Sequence, residues 1–363
     1  MKKKTLLRRL KIILVFLLIL LSGVGIGIAC GLLGGGDTSA VWTAVFIYGA
    51  IFVQLILHEG GHLIGGLLSG YRFESFRIGG AVLLRLEGKL RLRWMPIAGT
   101  GGQCLLLPPD CAPEDAPFRL YHAAGSAANL ITALLHIPLL FSASGIVRVY
   151  AFCMLASGLY FGILNGVPMR VGGIDNDGMN IRMMQSDPAL RRVIIHQLKI
   201  NAAASSGQRM RDLPEEWFFV GEHMHMHGAI HMTYLMDRGE YAAALAYGKR
   251  LPACRKMNRI HMGAVQNDLE TLRLLQGEPI PTESELLKKY RKSMAYDASV
   301  QRARFVRALL HDGDEAAAEK IHAQFERAAR RTASPGGIPM EYELIAAARE
   351  KYQSDHSKQT EGE

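Results

Sequence analysis

From Val41 to Leu68 the chain is almost wholly apolar, and its only Asp, Glu, Lys, Arg or His residues are His58, Glu59 and His62. A spanning helix needs roughly 20 apolar residues, so this run is long enough to cross a bilayer. Hydrocarbon offers no partner to a backbone N–H or C=O. A segment placed there must satisfy its own backbone, which restricts it to a helix.

Three further runs, near 12–33, 121–141 and 146–166, meet the same length requirement. Lys2, Lys3, Lys4, Arg8, Arg9 and Lys11 surround the start of the first. That run exceeds a signal-peptide core and lacks a small-x-small cleavage site, so it reads as a retained anchor. The connections at 34–40 and 142–145 carry no Lys or Arg, whereas the 70–118 loop carries Arg72, Arg77, Arg85, Lys89, Arg91 and Arg93. Cytoplasmic flanks collect such cations. The expected protein is therefore an α-helical, multi-pass membrane protein of the cell (plasma) membrane with about four transmembrane helices. Its N-terminus, that loop and its C-terminal half are cytoplasmic. The net charge of +9 is assigned to these flanks, since no nucleic-acid motif accompanies it. Cysteines at 30, 104, 111, 153 and 254 form no C-x-x-C pair, which argues against a disulfide scaffold and a thiolate zinc site.

Within the loop, Val82 to Trp94 alternates. Leu84, Leu86, Leu90, Leu92 and Trp94 share a parity, and Arg85, Glu87, Lys89, Arg91 and Arg93 take the other. Glu87-Gly88-Lys89 reads as the turn of a cytoplasmic β-hairpin. Such a hairpin can offer an edge strand to an unfolded peptide or rest on the bilayer surface. The glycines at 99, 101 and 102 read as a turn, because no Gly-Lys-Ser/Thr follows. Beyond 182 the chain becomes polar and helical. Residues 238–245 and 312–319 each place a small turn before an Ala-rich helix. A tetratricopeptide-like helical domain over 182–352, or a plain helical bundle, is expected, with a disordered polar tail at 353–363.

His58 and His62, four apart, share one face of a helix and can both reach one metal ion. Glu59 beside them can hold a water on that metal and take its proton, the mechanical content of H-E-x-x-H. Ionisable side chains are costly in a span and are functional candidates by default. A zinc site needs a third protein ligand and an open position. The candidate stretch runs from Asn165 to Gly178, with Asp175 and Asp177 both available. The topology places the end of the second span and this stretch on the same, cytoplasmic side.

His58-Glu59-Gly60-Gly61-His62, Asn165 with Pro168, and Asp177-Gly178 together resemble the site-2 protease family of intramembrane zinc metalloproteases, peptidase family M50. Gly125-Ser126-Ala127-Ala128-Asn129 resembles a degenerate form of that family's G-P-x-x-N segment, with Ser126 in place of the proline. The resemblance covers roughly residues 40 to 180. It implies Zn2+ held by His58, His62 and Asp177, with Glu59 as catalytic base. It also implies substrate-binding roles for Asn165 and Asn129. Asp177 is favoured over Asp175 because Gly178 follows it, although the stretch between Pro168 and the aspartates is longer than in the family. The expected reaction is hydrolysis of a peptide bond in a membrane-associated protein or peptide near the cytoplasmic face. The C-terminal helices would recruit or orient a protein partner.

Gly60 and Gly61 would admit either substrate or a neighbouring helix. His122 and His136 read as packing or interface residues. The histidines at 223, 225, 227 and 231 form a second cluster, with His227 and His231 four apart; with no acid between them, they read as chance or weak surface metal binding. The rival function is a membrane-anchored helical-repeat scaffold with a vestigial or structural metal site.

Overall fold

The structure, a computed structural model of the 363-residue chain, describes residues 25, 28, 31–32, 40–86, 88–95, 101–171, 174–219, 221, 223–254 and 257–361. Apart from helical positions at 25, 28, 31 and 32, the expected first span at 12–33 lies outside the described residues. The chain divides into two compact units. The first comprises Met1–Gly65, Arg119–Arg170 and Asp175–Ile181; the second comprises Gly66–Phe118, Val171–Ile174 and Arg182–Glu363. The loop 70–118 thus clusters with the C-terminal helices.

The first unit is built from α1 (Ala40–Leu68), α2 (Phe118–Leu135), the short α3 (Ile137–Ser142) and α4 (Gly145–Gly166). It also holds the start of α5 (Asp177–Ser186). Among the described residues, three helical stretches are long and apolar enough to cross a membrane: Trp42–Leu68, Phe118–Ser142 and Gly145–Gly166. They match the second, third and fourth expected spans. Their contact faces carry small residues. A Cβ on Gly61 would lie 2.4 Å from the Ala124 carbonyl oxygen, and one on Gly65 would lie 2.4 Å from Ala124 Cβ. On α4, a Cβ on Gly158 would lie 2.7 Å from the Asn129 carbonyl oxygen. Lipid tails are as apolar as Leu, so spanning helices associate through close packing rather than hydrophobic transfer, and small residues permit it. Trp42, Tyr48, Phe52, Ile64, Ile131, Leu135 and Tyr160 remain exposed on the outer faces.

In the second unit, β1 (Arg72–Ile78), β2 (Ala81–Leu86), β3 (Lys89–Trp94) and β4 (Gly102–Leu107) form an antiparallel sheet ordered β3-β2-β1-β4. The expected hairpin is β2–β3, with β1 and β4 added beside it. Gly88, between the two strands, is at φ 80°, and Leu86 pairs with Lys89, Leu84 with Arg91 and Leu83 with Leu92. A two-residue turn pairs residues an odd number apart, so parity reverses across it. Val82 and Leu84 are buried, whereas Leu90, Leu92 and Trp94 stay exposed on the opposite face with Leu83. The shared parity of Leu84 and Leu92 therefore does not become a shared face.

A two-residue ladder joins β5 (Arg170–Val171) to β6 (Ile174–Asp175). Helix α6 (Pro188–Ser205) packs on β4. The remaining helices associate in pairs: α7 (Met224–Asp237) with α8 (Tyr241–Gly248), α9 (Arg259–Leu275) with α10 (Glu285–Ser293), and α11 (Ala298–Leu310) with α12 (Glu315–Ala329). Gly239 and Gly313, at φ 77° and 65°, form the turns of the first and third pairs. These are the two positions where the sequence shows similar turns. The last helix, α13 (Ile338–Glu361), continues through the stretch expected to be disordered. Tyr352 anchors its later turns against the core around Phe305 and Phe325.

Candidate metal centre

The two histidines project from α1 and are both 7 % exposed, as is Glu59 between them. Nδ1 of His58 lies 2.8 Å from Oδ1 of Asn129, and Nδ1 of His62 lies 2.8 Å from the Tyr121 carbonyl oxygen. Both partners belong to α2. The Asn129 amide is oriented by its own contacts: Nδ2 donates to the carbonyl oxygen and to Oε1 of Gln54 at 2.8 Å and 2.7 Å. Its Oδ1 must then face the imidazole as an acceptor. Thr132 also donates to Gln54 Oε1, and Gln54 Nε2 donates to the Met154 carbonyl oxygen on α4. Facing acceptors on both sides, each imidazole carries its proton on Nδ1, which leaves Nε2 as a bare lone pair. This is how a protein fixes the tautomer of a metal-ligating histidine.

The two Nε2 atoms lie 3.1 Å apart, and Oδ2 of Asp177 lies 3.1 Å from one and 3.3 Å from the other. Oδ2 is buried and receives no hydrogen bond of normal geometry. Three electron pairs thus converge on one point, an arrangement that requires a cation. Burial opposes the charge on Asp177, yet the adjoining imidazoles hold its carboxyl well below the usual carboxylate range. A metal ion bound by all three would supply that cation. Among the described residues this is the one group of three His, Cys, Asp or Glu side chains placed to hold a metal. Space for an ion is protected by Gly125, where a Cβ would lie 2.5 Å from His62 Nε2 and 2.9 Å from His58 Cε1.

Asp177 opens α5, where the helix dipole favours a negative charge. Asn176 caps that helix by accepting from Met179 N at 2.9 Å. The same side chain accepts from Met169 N and donates to the carbonyls of Leu164 and Val167. One amide therefore ties the end of α4, the Pro168 loop and the ligand together. Gly178 is required by packing, because a Cβ there would lie 2.2 Å from the Gly166 carbonyl oxygen. Asp175 is committed elsewhere, pairing with Arg170 through two bonds of 2.6 and 2.7 Å.

The expected site residues thus separate. His58, Glu59, His62 and Asp177 come together, with Glu59 close enough to act electrostatically on His62. Asn129, expected to bind substrate, is fully buried and occupied with His58 and Gln54. Asn165 is half-buried at the end of α4 and turns its amide nitrogen back to the Phe161 carbonyl at 3.1 Å. Gln54 and Asn176 escape motif reading. Their signals are faint: a polar residue one turn before His58, and an Asn immediately before the ligand. His122 lies within electrostatic reach of Asp177 and His62. His136 packs against Tyr150 as expected. Comparisons with known protein families, with curated proteins and with solved structures find no match.

Proposed function

We infer that the chain is an intramembrane zinc metalloprotease of the site-2 protease kind. The observation that carries this reading is a buried carboxylate, Glu59, set between two histidines whose bare nitrogens converge with Asp177 inside an apolar helix. His58, His62 and Asp177 would hold the ion. Zinc, when bound, makes water acidic near neutral pH and polarises a peptide carbonyl.

The protein's own residues do the rest. Asn129 and the Tyr121 carbonyl keep both Nε2 atoms free of protons. Glu59 takes the proton of the attacking water and passes it to the leaving amine. Asn165, at the mouth of the loop bearing Asp177, supplies an amide to the substrate backbone. Charge along the sequence orients the protein with its N-terminus, sheet and C-terminal helices in the cytoplasm. The substrate is then a membrane-linked peptide cut near that face. Strand β3, an edge of the sheet among the described residues, is suited to bind an extended peptide.

The test is a comparison of membrane peptides from cells making wild-type or Glu59→Gln protein. A precursor that accumulates only with the Gln variant supports proteolysis. Equal processing by both proteins contradicts it.

A further inference from the structure

The short turn Glu215–Phe218 lies between α6 and α7 in the second unit, followed by the exposed Phe219. Two histidines of α7, one helical turn apart, hold it by backbone carbonyls. Nε2–H of His227 donates to the Trp217 carbonyl at 3.0 Å, and Nδ1–H of His231 donates to the Phe218 carbonyl at 2.8 Å. A third histidine, His196 of α6, stacks on the Trp217 ring at 6.0 Å. The Phe218 ring is buried against Tyr234 at 4.0 Å. The turn forms part of the wall of an open cavity of about 640 Å³, lined also by His196 and His231.

His227 is 0 % exposed. Because Nε2 donates to a carbonyl, Nδ1 is the bare nitrogen, and it is buried with no hydrogen-bond partner among the described residues. A proton on Nδ1 would create a buried charge with no acceptor. The charges around it offer little relief. His196 of α6, His231 of α7 and His261 of α9 all oppose a further positive charge at His227. Lys199 and Arg192 of α6 act in the same sense on His196, against Glu114 and Glu216. Arg192 is itself paired with Glu114. Glu215 is exposed at the cavity rim, and His223 is directed to Asp187.

We propose that Glu215–Phe219 is a latch held by the His227 and His231 hydrogen bonds and released when acid protonates His227, widening the cavity that it lines. The inference is independent of what the metal centre does. Burial, with the neighbouring imidazoles, pushes His227 down from 6.5 to about 4, against its bond to Trp217. The sign follows from linkage. A histidine disfavoured in its charged form keeps the latch closed above about pH 6.5, and that preference is lost as pH falls towards 4. His227 alone then gives about twenty-fold more open latch at pH 5 than at pH 7.

The experiment is hydrogen–deuterium exchange on the full chain in nanodiscs at pH 7 and pH 5, corrected for intrinsic exchange. Expected is a rise in opening of about twenty-fold or more at Trp217–Phe219, with α11 (Ala298–Leu310) still protected. His227→Gln, which cannot take the proton, should lose the increase. No increase in the wild type, the same increase in the Gln variant, or equal loss of protection in α11 would overturn the proposal. Should His227→Gln not fold, the wild-type imidazole decides by NMR titration. A His227 that protonates near 6.5 with the turn still in place would also overturn it.

Discussion

Each histidine of the candidate metal group commits one ring nitrogen to the protein, which leaves the other free to face an ion. For His58 that commitment is to Asn129, whose amide is in turn fixed by Gln54. Removing such a partner commonly lowers metal affinity by about 10–100-fold. Asn129→Ala is therefore expected to weaken zinc binding by that factor while leaving the ligands intact, as read by competition with a chelator of known affinity. An unchanged affinity would mean that the tautomer is set by something else. The ligand pair was legible in the sequence because both members sit one turn apart in a single helix. Asn129 was legible as a residue of interest but not in its role, because its partner lies 71 positions away. Spacing rules reach about a turn or two along a helix; they say nothing about which amide another helix will present.

At the scale of elements, the two glycines of the motif do different things. A Cβ on Gly61 would lie 2.4 Å from the Ala124 carbonyl oxygen and 2.8 Å from Ala128 Cβ, whereas one on Gly60 would meet nothing within 4 Å. Gly61 is therefore a contact between α1 and α2. Gly60 lies on the face with Ile56 and Ile64, away from the histidines. Gly61→Ala should cost about 1–3 kcal/mol through overpacking. Gly60→Ala should gain up to about 1 kcal/mol through helix propensity. Thermal unfolding of the two variants in the same detergent checks this, and shifts of the same sign would contradict it. The hairpin shows the limit of periodicity in the other direction. Alternation found β2 and β3, but the two-residue turn at Gly88 reversed the parity, so Leu84 is covered and Leu92 is not. Turn length, not strand pattern, decided which face each leucine joined.

At the scale of the whole molecule, the long apolar helices at Trp42–Leu68, Phe118–Ser142 and Gly145–Gly166 were the most legible part, since unbroken apolar runs of that length leave few alternatives to a helix. The core of the helical unit was the least legible. Its buried Arg302 pairs with Glu341 and Asp268, both at 2.7 Å, and bonds Thr271. These partners come from two other helices, α9 and α13, and nothing in the sequence marks them as a set. Arg302→Met should destabilise that unit by about 3–5 kcal/mol, because it leaves carboxylates buried without their cation. Denaturant unfolding followed by helical circular dichroism reads the loss; an unchanged midpoint would contradict it.

The function of the molecule turns on whether one ion sits where three ligand atoms converge. Zinc content per chain, measured by mass spectrometry on full-length protein in nanodiscs, addresses this most directly. Wild type and Asp175→Ala are expected to carry one zinc each, and His58→Ala and Asp177→Ala to lose it. A wild type without zinc, or an Asp177→Ala protein that keeps it, would contradict the metal centre.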